Sequence, residues 1–260
     1  MTMPRYAGAL RLDGKRALIT GATKGIGADI AQAFASAGAD LVLSGRDEGE
    51  LTAARSALAD RFGVRIHTAA VDLAEPDAPA ELARIAVDAF DGLDVLVNNA
   101  GVSYPQPVID TDPAQFDTTI TVNLRAPALL ASAVGAAMVA AGTGGSIITV
   151  ASAAALAPLP DHYAYCASKA GLVMATKVLA RELGPHGIRA NSVCPTVVLT
   201  EMGQRVWGDE EKAAPMLARI PLGRFAVPQE VSDTVVWLAS DMAAMVNGVD
   251  IAIDGGYTMG

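Results

Sequence analysis

Short apolar runs rich in β-branched residues alternate along the chain with longer stretches whose apolar positions recur at helical spacing. The runs at residues 16–20, 41–43, 64–71, 95–97, 146–150, 188–193 and 249–253 predict seven strands. Amphipathic spacing between them predicts helices over 26–37, 50–62 and 170–183. Regular alternation of strand and helix means a parallel, doubly wound α/β sheet. No internal repeat, low-complexity linker or composition break divides the chain, so one domain over 1–260 is expected. Residues 199–227 are less regular. They follow the sixth strand, where open α/β sheets carry substrate-covering loops, and are expected to form a lid.

Composition narrows the function. With 52% apolar and 18% charged residues in 260, the chain can bury a sizeable core. Its net charge of −9 argues against nucleic acid, whose phosphates ask for a basic face, and leaves small molecules as the expected partners. Residues 126–160 contain no charged side chain, which raises the question of a membrane. Gly142, Gly144, Gly145, Pro158 and Pro160 break that stretch into pieces too short to cross a bilayer, so no membrane partner is expected. Residues 1–15 lack the apolar run of a secretory signal. The cysteines are Cys166 and Cys194 alone, too few for a disulfide framework or a metal cage. They read as small buried residues; no metal site and a cytoplasmic location are expected.

Thr20-Gly21-Ala22-Thr23-Lys24-Gly25-Ile26-Gly27 joins the first strand to the first helix. Glycines there let the backbone approach a pyrophosphate, and the helix offers free N–H groups and its positive dipole end. A tight strand-to-helix turn without a ligand is the plainer alternative. The second strand should meet the adenosine ribose. An acidic residue at its tip would bind the ribose hydroxyls and repel a 2′-phosphate, but the tip here is Ser44, followed by Gly45 and Arg46. Arg46 and Lys24 could converge on that phosphate, favouring NADP(H), with NAD(H) possible if Arg46 is only a solvated charge. Asp72 and Leu73, after the third strand, could bracket the adenine.

Tyr165 and Lys169 are four residues apart, so on a helix they share one face. An ammonium beside a phenol favours phenolate and pulls the pKa down from about 10, where the group can shuttle a proton. Ser152 stands thirteen residues before Tyr165, at the end of an apolar strand, placed to hold a carbonyl oxygen. Asn123 lies inside a helical stretch, where asparagine is costly; it either holds a water near Lys169 or marks a cap or kink.

Taken together, Thr20-Gly21-xxx-Gly25-x-Gly27, Asn98-Asn99-Ala100-Gly101, Asn123, Ser152 and Tyr165-xxx-Lys169 resemble the short-chain dehydrogenase/reductase family over nearly the whole chain. The resemblance implies a Rossmann-type domain with one seven-stranded sheet in the order 3-2-1-4-5-6-7, commonly a homotetramer. It implies Tyr165 as acid/base, Lys169 on the nicotinamide ribose, Ser152 on the substrate oxygen and Asn123 anchoring a relay water. Gly21, Thr23, Lys24, Gly25, Ile26, Gly27, Asn98, Ala100, Gly101, Val198 and Thr200 would line the cofactor. Residues 195–204, Trp207, residues 220–226 and His162-Tyr163-Ala164-Tyr165-Cys166 are more specifically similar to the dicarbonyl/L-xylulose reductase branch, whose polyol and sugar-ketone chemistry would put His162 and Trp207 at the substrate. Ala153 departs from that branch by replacing a polar side chain, and Gly45-Arg46 replaces its Ser-Arg pair. A 3-ketoacyl, steroid or other carbonyl reductase on the same scaffold, and a nucleotide binder without turnover, are the competing readings. The helix of small residues at 126–141 and the helix after Tyr165 are candidate faces for subunit packing.

Overall fold

The apolar runs become strands of one sheet because both faces of that sheet are covered. In the computed structural model, which describes residues 10–259 apart from the side chains of Met202, Val206 and Lys212, the chain runs β1 (Arg16–Thr20), α1 (Gly25–Ser36), β2 (Asp40–Gly45), α2 (Glu48–Phe62), β3 (Ile66–Ala70), α3 (Ala78–Phe90) and β4 (Val95–Asn98). It continues through α4 (Pro113–Ile120), α5 (Ala126–Ala141), β5 (Gly145–Val150), α6 (Tyr163–Leu183), β6 (Ile188–Pro195), α7 (Glu201–Trp207), α8 (Glu210–Leu217), α9 (Pro228–Ala239) and β7 (Asp250–Ile253). Residues 1–9 and 260, the ends of the expected 1–260 domain, lie outside the described residues.

All seven strands pair in parallel, in the order β3-β2-β1-β4-β5-β6-β7. This is a single Rossmann-like unit, as expected. The centre of the sheet is buried on both faces, and such strands read as continuous apolar runs. Ile19, Leu43, Val97 and Ile148 face α1 and α9, while Leu18, Leu96, Ile147 and Ala190 face α3 and α5. Every crossover therefore delivers the next strand's carboxyl end to the same edge, where a ligand crevice forms at the β1/β4 switch in strand order.

Several boundaries differ from the sequence reading. β2 is longer than 41–43 and β3 shorter than 64–71. The helix expected from 170 begins at Tyr163, which places Tyr165 and Lys169 on its first two turns. A further difference is larger: residues 199–227, read as irregular, hold α7 and α8. Thr200 caps α7 by accepting from the Gly203 N–H at 3.1 Å. Both helices pack on a satellite cluster of Ala153, Ala213, Met216, Ile220, Phe225 and Tyr257. Pro215 inside α8 obscures its helical period in the sequence.

α4 and α5 are also one rod. A π-helical segment, Thr121–Arg125, joins them, and Pro113–Ala141 is long and apolar enough to cross a membrane by length and composition alone. The earlier break at Gly142 does not shorten it, because the helix extends backwards. Its apolar stripe is nevertheless used internally: Ala126, Leu130, Ala131, Val134 and Met138 are buried, and α5 packs between α3 and α6.

Candidate active site

At the end of β1 the chain turns through Gly21 and Gly25, both left-handed at φ 64° and 56°. A Cβ on Gly27 would stand 2.1 Å from the Gly21 carbonyl oxygen, so only glycine permits this packing. Two motif residues to which the sequence reading gave no role fasten the turn to the end of β4. Thr20 Oγ1 accepts from the backbone N–H groups of Asn99 (3.0 Å) and Ala100 (3.1 Å). In return the Asn99 amide donates to the carbonyls of Thr20 (2.9 Å) and Gly21 (3.2 Å). Polar side chains where two buried strands stop were the available signal. Asn98 beside them is buried, donating to Pro127 O at 3.1 Å, with its own Oδ1 unpartnered.

The cradle fits a dinucleotide. No side chain caps the N-terminus of α1, whose opening N–H groups stay available to an anion. A Cβ on Gly25 would reach to 3.4 Å from Thr200 Cγ2, so the glycine turn and Thr200 lie against each other; Val198 is buried. The turn also docks on β2: Ala22 N–H donates to Ser44 O at 3.0 Å, and Thr23 lies against Gly45. Ser44 is buried and Arg46 exposed. Lys24 does not stand free beside Arg46, as expected, but is held by Glu50 at 2.6 Å, which raises its pKa. Asp72 accepts from Ala74 N–H at 3.0 Å on the surface, and the Leu73 side chain enters the core.

The proton-transfer candidates meet where β5 and α6 converge. Ser152 follows β5 in extended conformation, accepts from Ala154 N–H at 3.1 Å and hydrogen-bonds Tyr165. Lys169 is buried, its Nζ donating to Val150 O at 2.9 Å and lying 5.7 Å from the Tyr165 ring centre. Asn123 sits in the π-helical turn, fully buried, its carboxamide both donating to and accepting from the Val102 backbone at 2.8 Å. Its remaining N–H goes to Ser168 Oγ (3.3 Å), which donates to Tyr165 O (2.7 Å). Ser168, missed by the sequence reading, thus ties Asn123 to the backbone of Tyr165. A Cβ on Gly101 would lie 3.2 Å from Asn123 Oδ1 and 3.7 Å from Lys169 Nζ, so the Asn98–Gly101 segment closes the same corner.

The electrostatics correct one expectation. Burial pushes the Tyr165 phenol up, only partly offset by the Ser152 hydrogen bond, although the side chain keeps some solvent contact. Lys169 does not pull it down, because its amine bonds a carbonyl rather than the phenol and is itself driven down to about 8 by burial. Beneath them Cys194 is buried and pushed up to about 11, whereas Cys166, expected to be buried, is partly exposed.

Of the two substrate candidates, His162 lies at the site, its ring 6.0 Å from that of Tyr165 and its Nδ1 2.7 Å from Pro160 O. Trp207 packs 5.7 Å from Phe225 in the satellite cluster, alongside Ala153. A cavity of about 460 Å³ bounded by Lys15, Asp94, Gly145 and Arg189 opens at the opposite edge, where the strands begin, and contains none of these residues.

Residues 21–258 match the short-chain dehydrogenase family model described as enoyl-(acyl carrier protein) reductase. The chain belongs to the short-chain dehydrogenase/reductase family. It is 43% identical over 248 residues to an L-xylulose reductase of Bos taurus, covering 95% of this chain and 98% of that one. It is 44% identical over 250 residues to a D-threitol dehydrogenase of Mycolicibacterium smegmatis, covering 96% and 95%. Among solved structures, a gluconate 5-dehydrogenase from Burkholderia cenocepacia J2315 in complex with NADP and tartrate superposes with a TM-score of 0.92 at 31% identity, covering 97% and 98%. A 7 alpha-hydroxysteroid dehydrogenase complexed with NADH and 7-oxo glycochenodeoxycholic acid gives 0.89 at 32% identity, covering 96% of each. This dehydrogenase/reductase is thus an NAD(P)-dependent oxidoreductase acting on CH–OH groups.

Proposed function

We propose that the enzyme interconverts a polyol or sugar alcohol with its ketose, preferring NADP(H) while accepting NAD(H). The convergence of Ser152, Tyr165, Lys169 and Asn123 in one corner, with the His162 imidazole beside the phenol, carries this reading. The sugar- and polyol-active relatives support the substrate class. A binder without turnover has no use for all four groups.

The nicotinamide, when bound, supplies the hydride chemistry. Ser152 would hold the substrate oxygen; in reduction the protonated Tyr165 phenol gives that oxygen its proton as the carbonyl carbon receives hydride from the reduced nicotinamide, and oxidation is the reverse. Lys169, anchored on Val150 O, would hold the nicotinamide ribose. Asn123, its carboxamide held by Val102 and Ser168, would anchor the relay water. Gly21, Thr23, Gly25, Ile26 and Gly27 would hold the pyrophosphate, Arg46 a 2′-phosphate, Asp72 and Leu73 the adenine side, and Asn98, Ala100, Gly101, Val198 and Thr200 the nicotinamide half. Residues 199–227 act as a helical lid, and Trp207 shapes it from within. The exposed apolar side chains of Leu129 on α5 and of Tyr163, Met174 and Val178 on α6 support a homotetramer packed through these helices. We assign the whole chain to one cytoplasmic domain.

The test is nicotinamide absorbance against a panel of polyols, ketoses, 3-ketoacyl thioesters and steroids with each dinucleotide. Turnover confined to short polyols and ketoses is expected. Turnover confined to steroids or acyl thioesters would replace the substrate class, a reading that the hydroxysteroid dehydrogenase neighbour favours.

A further inference from the structure

Lys24 sits where a glycine turn can offer a cation to a 2′-phosphate, yet its charge is already engaged. Its Nζ lies 2.6 Å from Glu50 Oε1, and Asp47 and Glu201 add further negative potential. The contact is set by the fold. Asp47 caps α2 by accepting from Glu50 N–H at 2.9 Å, which fixes Glu50 in the first helical turn. The turn bearing Lys24 is pinned to the end of β2 through Ala22 and Thr23. Arg46, exposed on the same rim, makes no ion pair among those of the described residues. A 2′-phosphate entering here must take Lys24 from a carboxylate and settle close to that carboxylate's charge. A 2′-hydroxyl faces neither demand.

We propose that Glu50 is a specificity-determining residue: by holding Lys24 it weakens the 2′-phosphate subsite and keeps NAD(H) competitive with NADP(H). This rests on the reading of the glycine turn as a dinucleotide site. The pair is solvent-exposed, so its influence is a matter of severalfold rather than of orders of magnitude.

Calorimetric titration of the oligomer as isolated with NADP⁺ and NAD⁺, for wild type, Glu50→Gln, Lys24→Ala and the double variant, tests this without turnover. Glu50→Gln removes the charge and leaves the capped backbone in place. It is expected to tighten NADP⁺ by about threefold to tenfold at low salt and to leave NAD⁺ nearly unchanged. In the Lys24→Ala background the gain should vanish, and at high ionic strength it should shrink. An unchanged NADP⁺ to NAD⁺ ratio in Glu50→Gln, or a gain that survives loss of Lys24, overturns the role of Glu50 while the dinucleotide site stands. Wild type that binds neither dinucleotide overturns the site itself and the inference with it.

Discussion

The two ends of the crevice are built on opposite electrostatic plans. At the Tyr165 end the groups around the phenol are buried and tied to backbone: Lys169 to Val150, Asn123 to Val102, Ser168 to Tyr165. At the glycine-turn end, Lys24 and Glu50 pair at the rim and Arg46 stands exposed to water. A buried charge is costly and strongly perturbed, which suits proton transfer; a rim charge is cheap and screened, which suits a graded preference between two similar ligands. On the function proposed above, chemistry and cofactor selectivity fall at opposite ends of one cleft.

The sharpest attack on this contrast is Tyr165→Phe, which should lower kcat by about 10²- to 10⁴-fold with dinucleotide affinity unchanged. Near-wild-type turnover in that variant would end the assignment of the buried corner.

A pH experiment then asks whether the Lys169 charge is truly buried. Unfolded, the amine keeps its proton to about its ordinary 10.5; folded, it releases it near 8. Below pH 8 both states are protonated and the folded state bears the full cost of burial. Between 8 and 10.5 the unfolded chain binds the extra proton, so this amine's contribution to stability rises with pH, by at most about 3 kcal/mol. Comparing denaturant midpoints of wild type and Lys169→Met isolates it, because Cys194 and Tyr165, both pushed up, lose stability over part of the same range. Parallel curves for the two proteins would mean a solvated amine.

Between the two ends, Thr20→Val keeps the shape and strips two backbone N–H groups of their acceptor. A loss of about 1–3 kcal/mol in unfolding free energy is expected, and an unchanged melting curve would show that the Thr20–Asn99 fastening is dispensable. The smallest effect belongs to the rim. Arg46→Ala should weaken NADP⁺ about fivefold at low salt, spare NAD⁺ and lose most of its effect at high salt. A salt-independent loss would place Arg46 in the buried regime instead.

The same division explains what the chain disclosed before its fold was known. Strands such as β4 and β5 were legible because burial on both faces leaves an unbroken apolar run. The glycine turn and the Tyr165–Lys169 spacing were legible because local geometry alone dictates them. α7 and α8 were not, since their apolar side faces a satellite cluster assembled from residues as distant as Ala153 and Tyr257. Nor was the Lys24–Glu50 pair, made by two elements that meet only when the sheet forms. The direction of the Tyr165 shift escaped as well: spacing reports a neighbouring ammonium, but neither the desolvation that pushes the phenol up nor the turn of that amine to the Val150 carbonyl. Asn123 was legible as an anomaly, and the π-helical turn is its explanation.

That turn makes the rod from Pro113 to Ala141 intolerant of deletion in a way its sequence conceals. Each residue advances an α-helix by about 100°, so removing one residue from Thr121–Arg125 would let regular hydrogen bonding resume. The healed helix would be out of phase with itself. Either Asn123 would swing away from Val102, or Leu130, Val134 and Met138 would rotate out from under the sheet. A local gain in regularity and the loss of the active corner are, at this one place, the same event.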